Sequence, residues 1–282
     1  PERADIPKKR IIIFSPHPDD DVISMGGTFD RLVEQGHEVH VAYQTSGNIA
    51  VSDEDALKFA EISLALNLNS EEPKTLINFL KHKTDQDIDS HEILRLKALI
   101  RRSESLAATR YLGLEDSSVH FLNLPFYETG TVKKNNITTA DLDIMCKLIE
   151  DIKPHQIYAA GDLADPHGTH KVCLNVLFDS LEVLKNRTYM EDCWVWLYRG
   201  AWHEWEPYQI EMAVPMSPDQ VLKKRHAIFY HQSQKDGVMF QGDDNREFWV
   251  RVEDRNRLTA KRYNDLGLAD YAAIEAFKRY HF

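Results

Sequence analysis

The sequence predicts an α/β fold, a doubly wound and mostly parallel sheet of the Rossmann type with a modified C-terminal part. Three observations predict it. Short apolar runs alternate with stretches of helical periodicity over most of the chain; the first strand, helix and strand fit within about 35 residues, the length of a βαβ unit; and polar, chemistry-bearing turns follow two of the strands. The 282 residues carry 43% hydrophobic and 28% charged side chains, ordinary for a globular protein with a substantial core. A single domain over 1–282 is expected, because no repeat or low-complexity linker interrupts the pattern.

Ile11-Ile12-Ile13-Phe14 reads as a buried strand running into Ser15-Pro16-His17-Pro18-Asp19-Asp20-Asp21. Val22, Ile23, Met25, Phe29, Leu32 and Val33 recur at helical spacing up to Gly36, and 37–43 alternates as a strand. Helices are expected over 54–68, 90–112 and 138–152, with a strand at 119–122. The strand at 157–160 leads into Gly161-Asp162-Leu163-Ala164-Asp165-Pro166-His167, followed by a helix from His170 to about Leu184. Beyond it, strands are expected at 193–199, 208–214 and 247–252, and helices near 217–230 and 265–281. The polar, Asp-rich segments 70–89 and 232–246 read as surface loops.

A net charge of -11 argues against nucleic acid or an anionic membrane as the main partner. No apolar run approaches the roughly 20 residues of a membrane span, and residues 1–10 lack the apolar stretch of a signal peptide. Cys146, Cys173 and Cys193 are scattered and odd in number, which fits buried thiols in a reducing, cytoplasmic compartment. The chain opens on Pro1 rather than Met, as an excised domain of a longer protein or a processed product would.

In open α/β sheets ligands bind beyond the carboxyl ends of the strands. Two clusters of metal-capable residues fall there: His17-x-Asp19-Asp20 and Asp165-x-His167-x-x-His170. His17, Asp20 and His170 form the two-nitrogen, one-oxygen set that catalytic zinc uses, leaving a position for water. A capping explanation competes, since acidic residues favour a helix N-terminus. Two prolines flanking His17 and a second His-bearing turn at an equivalent strand end weigh against it. His82, His91, His120 and His155 lack such company and read as surface or packing residues.

The string from Ser15 to Gly27, with His-Pro-Asp-Asp and then Gly26-Gly27, resembles the PIG-L/LmbE-like deacetylases. These include enzymes acting on N-acetylglucosaminyl-phosphatidylinositol, on the mycothiol precursor and on chitooligosaccharides. The resemblance continues through Thr45-Ser46-Gly47-Asn48, Arg101-Arg102-Ser103-Glu104, Asp165 to His170 and His231-Gln232-Ser233-Gln234, spanning about residues 10–235. It implies that His17, Asp20 and His170 hold Zn²⁺ or another divalent ion such as Fe²⁺. It further implies that Asp19 is the general base, that His167 assists as acid or oxyanion stabiliser, and that Arg101 and Asn48 contact substrate. Asp21, where the family has Glu, and Asp165 are expected behind the ligands. The implied activity is removal of an N-acyl group from an amino sugar. Arg101 would meet an anionic group such as a phosphate on it. The chain also looks like one half of fusion proteins whose other half resembles glucosamine-6-phosphate deaminase, so a covalent N-terminal partner domain is expected. A homo-oligomer is left open. A catalytically silent sugar-binding or regulatory domain and a metal-dependent phosphoesterase stand as alternatives.

Overall fold

In the computed structural model, residues 7–66, 71–84, 86–129, 131, 133–161, 168–200, 203–234 and 246–282 are described. Seven strands form one sheet in the order β3-β2-β1-β4-β5-β7-β6. They are β1 (Arg10–Ser15), β2 (Glu38–Tyr43), β3 (Val119–Phe121), β4 (Gln156–Ala160), β5 (Trp194–Tyr198), β6 (Met212–Met216) and β7 (Ala273–Tyr280). The first five run parallel, and β7 pairs antiparallel with both β5 and β6. The expected doubly wound sheet is therefore present, with the modified C-terminal part as a two-strand antiparallel extension.

The described helices are α1 (Asp20–Glu34), α2 (Asp53–Ala65), α3 (Glu71–His82), α4 (His91–Tyr111), α5 (Thr139–Ile152), α6 (Thr169–Leu184), α7 (Pro218–Phe229) and α8 (Phe248–Asp265). Burial on both faces explains why β1 is a continuous apolar run. Ile12 and Phe14 pack with Met145, Ile149, Cys173 and Leu177 of α5 and α6. Ile11 and Ile13 pack on the opposite face with Phe29, Ala108, Ala227 and Val252 of α1, α4, α7 and α8. Successive side chains of a strand point to opposite faces, so one apolar tetrapeptide feeds two cores.

Three expectations fail, each for a physical reason. Residues 70–89 are not all loop: α3 buries Pro73, Leu76 and Leu80, the two leucines packing with Ala56, Ala60 and Ile93, a narrow stripe hidden among charged neighbours. The strand expected at 247–252 is the start of α8. The buried positions of α8 include Arg251, Glu253, Asn256 and Thr259 beside Val252 and Ala260, so polar partners mask its helical period. Where a helix is expected over 265–281, α8 ends at Asp265 and residues 273–280 form β7. There Glu275 is fully buried between apolar residues because Lys224 meets it, and a buried carboxylate broke the apolar run.

Helix α1 is broken at Met25, whose φ of -138° is not helical. Glu275 caps the restart. Its carboxylate accepts from the backbone N–H of Gly27 (3.0 Å) and Thr28 (2.6 Å) and from Thr28 Oγ1 (2.6 Å). Such a break frees backbone donors that need partners when buried. Gly27 is required there, since a Cβ would lie 2.2 Å from Met216 Sδ.

No helix among the described residues is long and apolar enough to cross a membrane. All three cysteines are free thiols.

Candidate metal centre

The chain order reverses between β1 and β4. The chain leaves β1 for β2 and β3 on one side, then returns through α5 to β4 on the other. This switch point opens a crevice at the strands' carboxyl ends. The turn after β1 and the start of α6 meet in it.

The turn is braced from several directions. Ser15 Oγ donates to the His17 carbonyl (2.5 Å) and accepts from the Asp21 N–H (3.1 Å). Thr45 Oγ1 donates to the Pro16 carbonyl (2.7 Å), and Tyr198 OH to the Phe14 carbonyl (2.7 Å). Asp21, fully buried, accepts from Tyr43 OH (2.9 Å). Burial pushes its carboxyl up to about 7 against that hydrogen bond. It supports the turn from behind and does not face the crevice cluster.

His17, Asp20 and His170 converge. Asp20 Oδ2 lies 3.3 Å from His17 Nδ1 and 3.2 Å from His170 Nε2, and the two imidazole nitrogens are 3.3 Å apart. Tetrahedral ligands about 2.0–2.1 Å from a zinc ion stand about 3.3–3.4 Å from one another. Three donor atoms already at that mutual spacing, two nitrogens and one carboxylate oxygen, fit a single divalent cation. Burial raises the Asp20 carboxyl, but His170 and His17 beside it hold it well below the usual carboxylate range. It is therefore ionised and ready to act as a ligand.

Asp19 points to the other side of the turn. Its Oδ1 is 3.1 Å from Arg101 Nη2 of α4. Burial raises the Asp19 carboxyl, with Asp20 adding to the rise and Arg101 opposing it. A carboxylate raised toward neutrality and held by one cation is what a proton carrier needs.

Arg101 is 1% exposed, lies against Gly47 and pairs through Nη2 with Asp19, while its Nε and Nη1 have no partner among the described residues. Arg102 lies with its guanidinium 4.5 Å over the Phe121 ring. Gly47 is a glycine for two reasons: its φ is +62°, and a Cβ would meet Pro18 Cδ at 2.8 Å and Arg101 Nε at 3.2 Å. Asn48, buried in the short turn that follows, stands beside this group. Asp165 and His167 lie outside the described residues, so the geometry here is that of the first turn and His170.

One buried residue near the site carried no assigned role. His231 is 2% exposed and lines the same narrow cleft as Asp19. It lies within the His-Gln-Ser-Gln string already noted, but an isolated histidine gives no signal of its own. Ser233 with Glu104, joined across 129 residues, and Gln234 with Ala50, across 184, bring it here.

A fold with a metal-capable triad at its switch point defines the class, and comparison with known proteins names the family. The profile of the GlcNAc-PI de-N-acetylases (PIG-L) matches residues 12–180, and the chain belongs to that family. A glucosamine-6-phosphate deaminase-like protein of Bacteroides thetaiotaomicron is 53% identical over 99% of this chain, which spans only 44% of that relative. N,N'-diacetylchitobiose deacetylase of Pyrococcus horikoshii shares the fold, with a TM-score of 0.61 at 20% identity over 97% of this chain and 84% of that one. So does GalB, the 4-carboxy-2-hydroxymuconate hydratase of Pseudomonas putida, with a TM-score of 0.60 at 16% identity over 97% of both chains. The same fold thus carries a deacetylase and a hydratase, and the reaction must be argued from the site.

Proposed function

We propose that this chain is a metal-dependent, zinc-type N-deacetylase, a single domain over 1–282 that removes an acyl group from the nitrogen of an amino sugar such as an N-acetylglucosamine derivative. The observation that carries the proposal is the convergence of His17, Asp20 and His170 at 3.2–3.3 Å with Asp19 adjoining. Family membership supports the reaction class. When bound, a divalent ion supplies a water of lowered pKa and a Lewis acid for the amide carbonyl.

The chain's own residues supply the rest. His17 Nδ1, His170 Nε2 and Asp20 Oδ2 would hold the ion. An Asp19 carboxylate oxygen takes a proton from the attacking water and delivers it to the leaving nitrogen. Arg101 Nη2 fixes that side chain in both states of the cycle, as an ion pair with the carboxylate and as a hydrogen-bond donor to the neutral carboxyl while it carries the proton. His167 is assigned by the family resemblance to steady the oxyanion, which predicts a loss of about 10²–10³ in rate in His167→Ala with the metal retained.

The test combines metal analysis with amine release from N-acetylated glucosamines, with and without a phosphate. One ion per chain and released amine uphold the proposal. Phosphate release without amine would make the protein a phosphoesterase, and sugar binding without either product a binding domain.

A further inference from the structure

His231 follows α7 and opens the short turn Gln232–Gln234. That turn is fixed from two sides. The Ser233 N–H and Oγ donate to the two oxygens of Glu104 on α4, each at 2.7 Å, and Gln234 Nε2 donates to the Ala50 carbonyl at 3.1 Å. So much anchoring should leave the one imidazole it carries well paired. Instead neither Nδ1 nor Nε2 of His231 has a hydrogen-bond partner among the described residues, although the side chain is buried.

Buried polar groups almost always find partners, and one that does not costs folding energy. The exception has a location. His231 shares a cleft with Asp19, walled by Ile23, Phe229, Phe248 and Trp249 with Gln234 and Glu247 on its polar side. The Phe229 and Trp249 rings stand perpendicular, 5.7 Å between centroids. Burial, then Arg101, push the imidazole down to about 3, so at neutral pH it offers one N–H donor and one bare acceptor nitrogen. The cleft holds about 20 Å³ of free space, room for one water-sized group, so the neutral two-way hydrogen-bonding ring suits a single hydroxyl reaching in from a sugar bound beside Asp19.

We propose that His231 is a substrate-binding residue that hydrogen-bonds a ring hydroxyl of the amino sugar beside Asp19. The inference rests on the N-deacetylase reading, and its test separates the two. KM and kcat are measured for N-acetylglucosamine and for analogues lacking one ring hydroxyl at a time, with wild type, His231→Phe and His231→Gln. Phe keeps a ring without nitrogens, and Gln restores a donor and an acceptor. Removing one partner of a buried hydrogen bond should raise KM about tenfold in His231→Phe, with kcat little changed and metal content unaltered, and His231→Gln should recover part of it. One deoxy analogue should lose about tenfold in wild type and nothing further in His231→Phe. Unchanged KM, or losses that add for every analogue, overturns the assignment. If the variants do not fold, or wild type deacetylates none of the sugars, the His231 ring nitrogen resonances of metal-loaded wild type are followed on titration with N-acetylglucosamine. A shift upholds the binding role and none overturns it, while missing turnover alone counts only against the deacetylase reading.

Discussion

Two buried polar clusters lie along α1, and they are finished to different degrees. At its break, Glu275 accepts from Gly27, Thr28 and Lys224, and Lys224 Nζ also donates to Asn256 Oδ1 (3.0 Å), whose Nδ2 donates to the Ile274 carbonyl (3.1 Å). At its start, two imidazole nitrogens and a carboxylate oxygen crowd together, Arg101 Nε and Nη1 find no partner among the described residues, and neither does His231. Both regions are largely buried, although the His17 side chain is 22% exposed and those of Lys224 and Glu275 only 2% and 1%. The difference teaches that burial alone does not mark a functional site: a closed hydrogen-bond network is architecture, and an open one is kept for something that arrives later.

The largest expected effect is at the open cluster. His170→Ala or Asp20→Ala should strip the ion on dialysis and reduce turnover to background, as read by metal analysis and amine release. Asp19→Asn should keep the ion and lose about 10²–10⁴ in kcat, because the amide is nearly isosteric but cannot take a proton. In metal-free protein neither His170→Ala nor Asp20→Ala should lower thermal stability as much as a change in the closed cluster. If they do, the contrast between the two regions is wrong.

The closed cluster should respond in the opposite sense. Glu275→Gln leaves Lys224 buried without its counter-charge, a loss of about 3–5 kcal/mol, or roughly 10 °C in Tm. Metal content and kcat measured well below that Tm should change little. A variant of normal stability with no activity would show instead that Glu275 acts on the chemistry through α1.

The smallest effect sharpens the picture of His231. Its folded-state pKa is pushed down to about 3 by burial and by Arg101, below the ordinary 6.5. The unfolded chain therefore takes up a proton first, so the stability tied to the neutral ring is fully present above pH 6.5 and declines as pH falls toward 3. His231→Gln removes that dependence. The wild-type advantage over the variant should shrink by about 2 kcal/mol between pH 7 and pH 5, measured by denaturant unfolding of metal-free protein.

The sequence displays the parallel core and the first turn clearly, because both rest on local signals. Four apolar residues in a row require two covered faces, and His17, Asp19 and Asp20 stand within one turn. His170 was legible only through its position after a second strand. What escaped was held by distant partners. The helical character of α8 and the strand character of β7 depend on Lys224, Asn256 and Glu275 satisfying one another inside the protein, and no window of sequence contains all three. Arg101 was legible as a site residue but not in its orientation, which Gly47 and Asp19 fix from two other segments.

The placement of β7 has a consequence for how the chain is made. It is the last strand in sequence, yet it sits inside the sheet between β5 and β6. At typical synthesis rates the ribosome needs on the order of 10 s to extend the chain from the end of β5 to β7. Throughout that interval the nascent protein carries an exposed strand edge at β5 and an uncapped break in α1, the helix that begins with Asp20. Completion of α1 thereby waits for Glu275, which stands 248 residues beyond the Gly27 whose N–H it caps.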